Sequence, residues 1–375
     1  MKLRGIKGDI YITDDKPFAS GGEGSIYAIK NNYNYVAKVY NPELATAERL
    51  EKLRLMMSNP PNRDALAWLA WPVDVIKHDC GSFAGFIMPA LETTKTLDDI
   101  YLYKKNSDFD LKKRVTLGFN ICRVIEEVHK TGCYFGDFNP SNIGVNSKTG
   151  FAAFFDVDSF HIDNRSSNGK VYRAIACLPG YAAPEVLKTC RKCERDTGNS
   201  NDVYLRADLD TFTFWSDYFA LAIHVFRLLF NGFNPYRGVS NIKSKSSKAL
   251  AAGDTAVEND QYCFKDKYEP ASLLVPPINS VPKEIGVLFR RAFIDGKNNP
   301  KERPKPSDWK EALLRYKSML APCSKDASHY YYGKLPNCVW CEADDRYENG
   351  QRWPDNWPLS GFNTIKNLLN SINKL

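Results

Sequence analysis

Residues 134–146 read YFGDFNPSNIGVN, and residues 154–160 read FFDVDSF. Three polar residues stand at fixed offsets in this apolar setting: Asp137, Asn142 and Asp156. The spacing predicts a loop and then a short hairpin. Pro140 fixes the turn, Ile143 to Val145 begin a strand, Asn146 to Gly150 reverse it, and Ala152 to Phe155 return. A hairpin of this kind brings Asn142 and Asp156 together, with Asp137 beside them. Two oxygen donors on facing strands suit magnesium, which takes a few protein oxygens plus waters and substrate phosphates. A third carboxylate, off the metal, can orient a hydroxyl and take its proton.

The composition sets the frame for that stretch. At 375 residues the chain suits two lobes of one large domain, or a domain with an appendage, and 43% hydrophobic residues support a sizeable core. The 51 basic and 44 acidic residues leave +7, too diffuse a charge to argue nucleic-acid binding. The first residues, MKLRGIKGDIYITDD, hold no apolar signal core. The longest apolar run, Trp215 to Phe230, is shorter than the roughly 20 residues of a membrane span and contains Asp217, His224 and Arg227. It reads as a buried helix. Ten cysteines without an export signal point to a reducing, cytoplasmic setting.

Further motifs flank the opening stretch. Residues 19–27 read ASGGEGSIY, with Gly21, Gly22 and Gly24 crowding a turn between strands. Glycine there lets backbone amides approach a phosphate without a Cβ in the way. Residues 35–40, YVAKVY, place Lys38 in a dense apolar strand. A helix over Glu43 to Met57 follows, apolar at Leu44, Ala47, Leu50, Leu53 and Met57. Strands are expected at Trp71 to Ile76 and Phe83 to Met88, and a long helix at Leu111 to Lys130. Downstream stand GYAAPEV at 180–186 and NPKERPKPSDW at 299–309.

Taken together, the order of these motifs resembles the protein kinases, over about residues 15 to 318. Asp137 to Asn142 matches the catalytic loop D-x-x-x-x-N, Asp156 the first residue of D-F-G, and Ala183-Pro184-Glu185 the A-P-E element. The resemblance is to a bacterial eukaryotic-like (Hanks-type) Ser/Thr kinase. It implies an α+β bilobal fold: a small β-rich lobe at 1–92 and a large helical lobe at 93–318. It also implies ATP and Mg2+ (or Mn2+) as cofactors and a protein substrate, the chain itself included, with autophosphorylation. Gly21, Gly22, Gly24 and Ile26 would cover the nucleotide, and Ala37 would line its pocket. Lys38 would hold the phosphates. Glu48 and Glu51 both qualify as the lysine's partner on the helix, with Glu48 preferred. Met88 would be the gatekeeper, and Pro89 and Leu91 the hinge, where only Leu91 has an N–H to offer adenine. Asn142 and Asp156 would bind the metal, and Asp137, with Asn139 nearby, would serve the acceptor hydroxyl. Glu185 and Arg303 would form a buried ion pair, and Asp217 would brace the catalytic loop. Asp156 to Glu185 would be the activation segment, with Ser166, Ser167 and Tyr172 as candidate phosphosites.

Four departures from the pattern favour a rival reading, a nucleotide-binding pseudokinase that signals by conformation. Ala19 replaces the first loop glycine, Gly136 the arginine of H-R-D, Asn139 the catalytic-loop lysine, and Asp158 the glycine of D-F-G. Phosphorylation of a small molecule is a third reading, which the A-P-E element and Arg303-Pro304, matching the late R-P element of the kinases, oppose.

Beyond residue 318 the spacing changes. Cys323, His329, Cys338 and Cys341 read C-x5-H-x8-C-x2-C, four soft ligands suited to a structural, tetrahedral Zn2+ in an element at 319–345. Too little chain lies there to bury a core of its own. This element resembles that of kinases found beside a PP2C-type phosphatase and a von Willebrand A-type protein. Thr189 to Asp210, containing Cys190 and Cys193, reads as an inserted loop, and Asn241 to Asp260 as a second insertion. A tail at 346–375 is expected to end in a helix from Phe362 to Leu375.

Overall fold

A computed structural model describes residues 1–102, 109–174, 177–198, 211–240, 251 and 253–349. Its first lobe is built on one antiparallel sheet. The strands are β1 (Lys2–Gly5), β2 (Ile10–Ile12), β3 (Ala19–Ser20), β4 (Gly24–Ala28), β5 (Tyr35–Tyr40), β6 (Asp74–Lys77) and β7 (Phe83–Pro89), in spatial order β2-β1-β6-β7-β5-β4-β3. Side chains alternate across a strand, so the sheet buries two separate sets. Tyr40, Val75, Phe86 and Met88 pack with Leu53 of the following helix. Leu3, Ile29, Ala37, Ile76, Ala84 and Ile87 pack together apart from them.

The longer helix of this lobe runs Ala47–Ser58, not from Glu43 as the apolar spacing predicts. Pro42–Leu44 makes a single 3-10 turn, and the Thr46 hydroxyl then accepts the Arg49 N–H at 3.2 Å, capping a fresh start. The buried face is Lys52, Leu53 and Met56, while Ala47 is exposed. Trp71, 1% exposed, donates its indole N–H to Met56 O at 3.1 Å and ties the helix to the strand-bearing chain behind it. Truncating a ring buried so fully costs about 3–5 kcal/mol.

The second lobe is helical. Its long helix, Leu111–Lys130, matches the expected span, with Asp110 accepting the Lys113 N–H at 2.8 Å as its cap. Helices Phe214–Leu229 and Pro306–Ser318 pack against it. The hairpin pairs Ile143–Asn146 with Phe151–Phe154 in the register Ile143 to Phe154 and Asn146 to Phe151. One expectation fails: Cys190 and Cys193 sit in the helix Pro184–Thr197, not in a loop. Val186, Leu187, Cys190 and Cys193 form its buried stripe, so the two thiols are core residues. Residues 199–210, 241–250 and 350–375, which contain the rest of both insertions and the expected tail helix, lie outside the described residues. Asp254–Glu258, inside the second insertion, is a helix. Among the described residues no helix is long and apolar enough to cross a membrane.

Candidate active site

The glycine turn joins β3 to β4. Ala19 pairs with Ile26 and Ser20 with Ser25, and the Gly21 N–H closes the turn on Gly24 O at 2.9 Å. Gly24 cannot carry a side chain: a Cβ there would lie 2.3 Å from Val39 O. Asn41 fastens the turn from below, its side chain donating to Gly22 O at 2.8 Å and its N–H to Glu23 O at 3.0 Å. Beneath the turn is a cavity of about 250 Å3 lined by residues 19–24, Ile26, Lys38, Met88, Asn139, Ser141, Asn142, Phe155 and Asp156. Pro89 and Leu91 stand outside its wall. Ala37 is a correction: it lies with Leu3, Ile29 and Ile87, while Val36 packs with Tyr40 and Met88. Residues two apart share a strand face, so Val36, not Ala37, accompanies Lys38.

Lys38 is 6% exposed and holds carboxylates from three segments. Its Nζ donates to Asp156 Oδ1 at 2.7 Å, to Asp158 Oδ1 and Oδ2 at 2.7 and 2.8 Å, and to Glu23 Oε2 at 3.4 Å. Burial alone would strip its proton, yet the fields of Asp156 and Asp158 hold its pKa well above the ordinary lysine range. Burial likewise opposes ionisation of Asp158, but Lys38 and the Tyr40 hydroxyl, donating at 2.7 Å, hold its carboxyl below the usual range.

Neither helix glutamate reaches this cluster. Glu48 is exposed, and Glu51 pairs with Lys170 at 2.5 Å. The expected Lys38–Glu48 pair is therefore absent. The helix instead turns two cations inward. Arg49 binds Glu23 at 2.6 and 3.3 Å and lies 3.7 Å from Asp158, and Lys52 donates to Asp158 O at 2.6 Å. Burial drives Lys52 down to about 8. Sequence reasoning missed Glu23, Arg49 and Lys52, although Arg49, Lys52, Leu53 and Met56 follow a helical i, i+3, i+4, i+7 period.

The catalytic-loop segment is held from below. Asp217, 1% exposed, accepts the N–H groups of Phe135 at 2.7 Å and Gly136 at 3.2 Å and pairs with His129 at 2.8 Å. Gly136 has φ +68°, and a Cβ there would lie 2.6 Å from that of Ala174, so the fold admits no arginine at this position. Asp137 Oδ1 accepts the Leu178 N–H at 2.9 Å. Burial pushes its carboxyl up to about 6, the charge of Asp156 adds to the effect, and the Leu178 bond opposes it. Asn139 caps its own turn, accepting from the Ser141 N–H and hydroxyl at 2.9 and 2.6 Å. Asn142 O accepts the Phe155 N–H at 2.9 Å, which places Asn142 beside Asp156 across the hairpin's mouth. Asp156 has a left-handed backbone, φ +56° and ψ +33°, a conformation that costs a non-glycine residue about 1–3 kcal/mol. A small second cavity, lined by Asp137, Asn139, Asn142 and Asp156 among others, adjoins the first.

Away from the cleft, Arg303 is fully buried and binds Glu185 through two 2.6 Å bonds. In the activation segment, Ser166 and Ser167 are exposed, whereas Tyr172 is 2% exposed. The Cys/His element is a hairpin, Leu320–Pro322 with Tyr330–Tyr332, followed by the helix Val339–Glu348. It converges all four expected ligands. Cys323 and Cys341 Sγ are 3.6 Å apart, and His329 Nδ1 lies 3.6 Å from Cys341 and 3.8 Å from Cys338. A tetrahedron with bonds of about 2.3 Å to sulfur and 2.0–2.1 Å to nitrogen separates its corners by about 3.5–3.8 Å, so the four residues fit zinc. Asp344 lies 3.3 Å from His329 Nε2, on the side of the ring away from the thiols.

No family model matches the chain. It is 27% identical over 352 residues to the protein kinase YegI of Escherichia coli O157:H7, a match covering 89% of this chain and 49% of that protein. The same protein from strain K12 matches at 26% over 348 residues, covering 88% and 48%. The chain thus spans about half the length of the curated relatives it matches. A rhoptry kinase from Toxoplasma gondii superposes with a TM-score of 0.52 at 11% identity, covering 84% of this chain and 83% of the other. With its sheet lobe, helical lobe and intervening cleft, the chain has the bilobal fold of the protein kinases.

Proposed function

We propose that the chain is an ATP-dependent protein kinase that transfers a phosphoryl group to Ser/Thr hydroxyls of a protein, itself among the substrates. The observation that carries this reading is the convergence of Lys38, Asn142 and Asp156 on one cavity under the glycine turn, with Asp137 in the adjoining one. The turn's free amides and the Lys38 ammonium suit the phosphates of a nucleotide. Asn142 and Asp156 would hold Mg2+ or Mn2+, which supplies charge neutralisation between phosphate oxygens. Asp137 would orient the acceptor hydroxyl and take its proton. Both YegI proteins are named protein kinases, and that likeness supports the reading.

Labelled ATP incubated with the chain and magnesium should give autophosphorylation that Asp156→Ala abolishes. Equal incorporation by both chains would remove the enzyme reading. A pseudokinase is the second reading. It is favoured by Asn139, whose side chain is spent on Ser141 where the family carries a lysine; nucleotide binding without phosphotransfer would establish it. We further assign a structural Zn2+ to Cys323, His329, Cys338 and Cys341, on the fit of their spacing. Divisions at residues 92, 318 and 345, a cytoplasmic setting, and partners of PP2C and von Willebrand A type rest on the sequence alone.

A further inference from the structure

We infer that Asp158 is the positioning residue for Lys38, so that the acid locking this lysine has moved from the helix to the metal-binding segment. The inference deepens the nucleotide-binding reading and rests on it. Four observations carry it. Asp158 offers Lys38 both carboxylate oxygens, at 2.7 and 2.8 Å. Its side chain is 2% exposed and is fixed by Tyr40 at 2.7 Å, while Lys52 holds its backbone carbonyl. The helix positions facing it are cations, Arg49 and Lys52, which balance its charge and exclude a glutamate from that face. Glu48 points to solvent, and Glu51 is engaged by Lys170.

The arrangement has a physical advantage. Asp156 now shares its charge with Lys38 at 2.7 Å. Were Asp156 the lysine's sole acid, a metal drawing on that carboxylate would leave a buried ammonium uncompensated, which is expensive. With Asp158 in place, Lys38 keeps a full counter-charge while Asp156 serves a metal. Because Asp158 lies within the 3-10 turn Val157–Ser159 and Asp156 immediately precedes it, a single segment sets both the lysine and the proposed metal ligand.

The test uses the full chain and a fluorescent ATP analogue, with Mg2+ and with EDTA. Asp158→Asn should weaken nucleotide binding at least tenfold in both conditions, because it acts through Lys38. Asp156→Asn should lose only the Mg2+-dependent part. Glu48→Gln should bind within twofold of wild type. Lys38→Met and Lys38→Met/Asp158→Asn should bind alike, since the second change has nothing left to position. Wild-type affinity in Asp158→Asn, or a tenfold loss in Glu48→Gln, overturns the inference. Thermal melting without nucleotide supplies an independent arm. The double variant should melt no lower than Asp158→Asn alone, because it removes the buried ammonium that has lost its bidentate counter-charge and keeps only Asp156 and the more distant Glu23; a double variant that melts lower by the sum of the singles overturns the pairing. A wild-type chain that ignores the nucleotide defeats the nucleotide reading itself, and the melting comparison still decides whether Asp158 is the lysine's partner.

Discussion

Replacing Glu185 by alanine tests the deepest ion pair of the helical lobe. Arg303 has no solvent exposure, and its guanidinium makes four hydrogen bonds: two at 2.6 Å to Glu185, one at 3.0 Å to Gly296 O and one at 2.8 Å to Trp215 O. It also sits 5.2 Å from the Phe219 ring centroid. Removing Glu185 leaves the charge with two carbonyl dipoles and a ring but no anion. Stranding one member of a buried pair costs about 3–5 kcal/mol. The Glu185 side chain is 34% exposed, so water will enter the vacated side and the cost falls at the lower end, about 3 kcal/mol. With a urea dependence of about 3 kcal/mol per molar, the unfolding midpoint should drop by about 1 M. The double variant Glu185→Ala/Arg303→Met should regain most of that loss, since it deletes the stranded charge and refills the space with apolar atoms. A midpoint shift below about 0.2 M in the single variant, or no recovery in the double, would refute the assignment of this pair as a desolvated, mutually dependent unit.

Other outcomes are as direct. If Asp137 must be ionised to take a proton, and burial holds its carboxyl up to about 6, then kcat/KM should fall about tenfold per pH unit below that value; a flat profile from pH 7 to pH 5 would contradict its role. Gly136→Ala forces a side chain into a φ +68° position against Ala174, and should lower stability by about 1–3 kcal/mol in urea melts, while an unchanged midpoint would show that the backbone relaxes freely. Elemental analysis should find close to one zinc per chain, and none once Cys338 and Cys341 are both changed to serine. That variant should also loosen the contact of Tyr332 with Tyr316 and of Tyr330 with Lys112, readable as faster amide exchange in residues 320–332. A folded, metal-free wild-type chain would eliminate the zinc assignment.

Much of this architecture is legible in local sequence because local rules decide it. The hairpin at 143–154 follows from a turn-rich pentapeptide between apolar runs, and the helix Leu111–Lys130 from its unbroken period and Asp110 cap. The Cys190/Cys193 helix was equally readable. Its buried residues follow a helical spacing, but Lys188, Thr189, Arg191 and Lys192 between them imitate a polar loop. Ala37 was misplaced although strand alternation alone separates it from Lys38. The inward face of the Ala47–Ser58 helix is a different kind of failure. An apolar stripe predicts burial, and two cations argue against it. Lys52 is buried and Arg49 half-buried because their counter-charges arrive from Asp158, more than a hundred residues away in the chain, and from the glycine turn. No window on the helix contains that information. Pairing by motif order fails for the same reason, since it brings in Glu48 without asking what the other acids do.

The departures from the kinase pattern can be weighed by whether the fold has reorganised around them. Ala19 is a strand residue, 5% exposed and paired with Ile26, so the glycine turn begins only at Gly21 and loses nothing by it. Gly136 occupies a left-handed position packed against Ala174, where an arginine has no room. Asp158 gives Lys38 a bidentate partner while the helix supplies matching cations. The surrounding residues accommodate each of these three departures. Asn139 differs. Its side chain caps Ser141, a local task, and the cation that the family carries at this position has no replacement in the lining of either cavity except Lys38, already committed to Asp156 and Asp158. Charge at the glycine-turn end of the cleft is therefore where this chain departs most from the kinase pattern, and on the proposed kinase reading the rate of phosphoryl transfer, more than nucleotide affinity, is the quantity that departure governs.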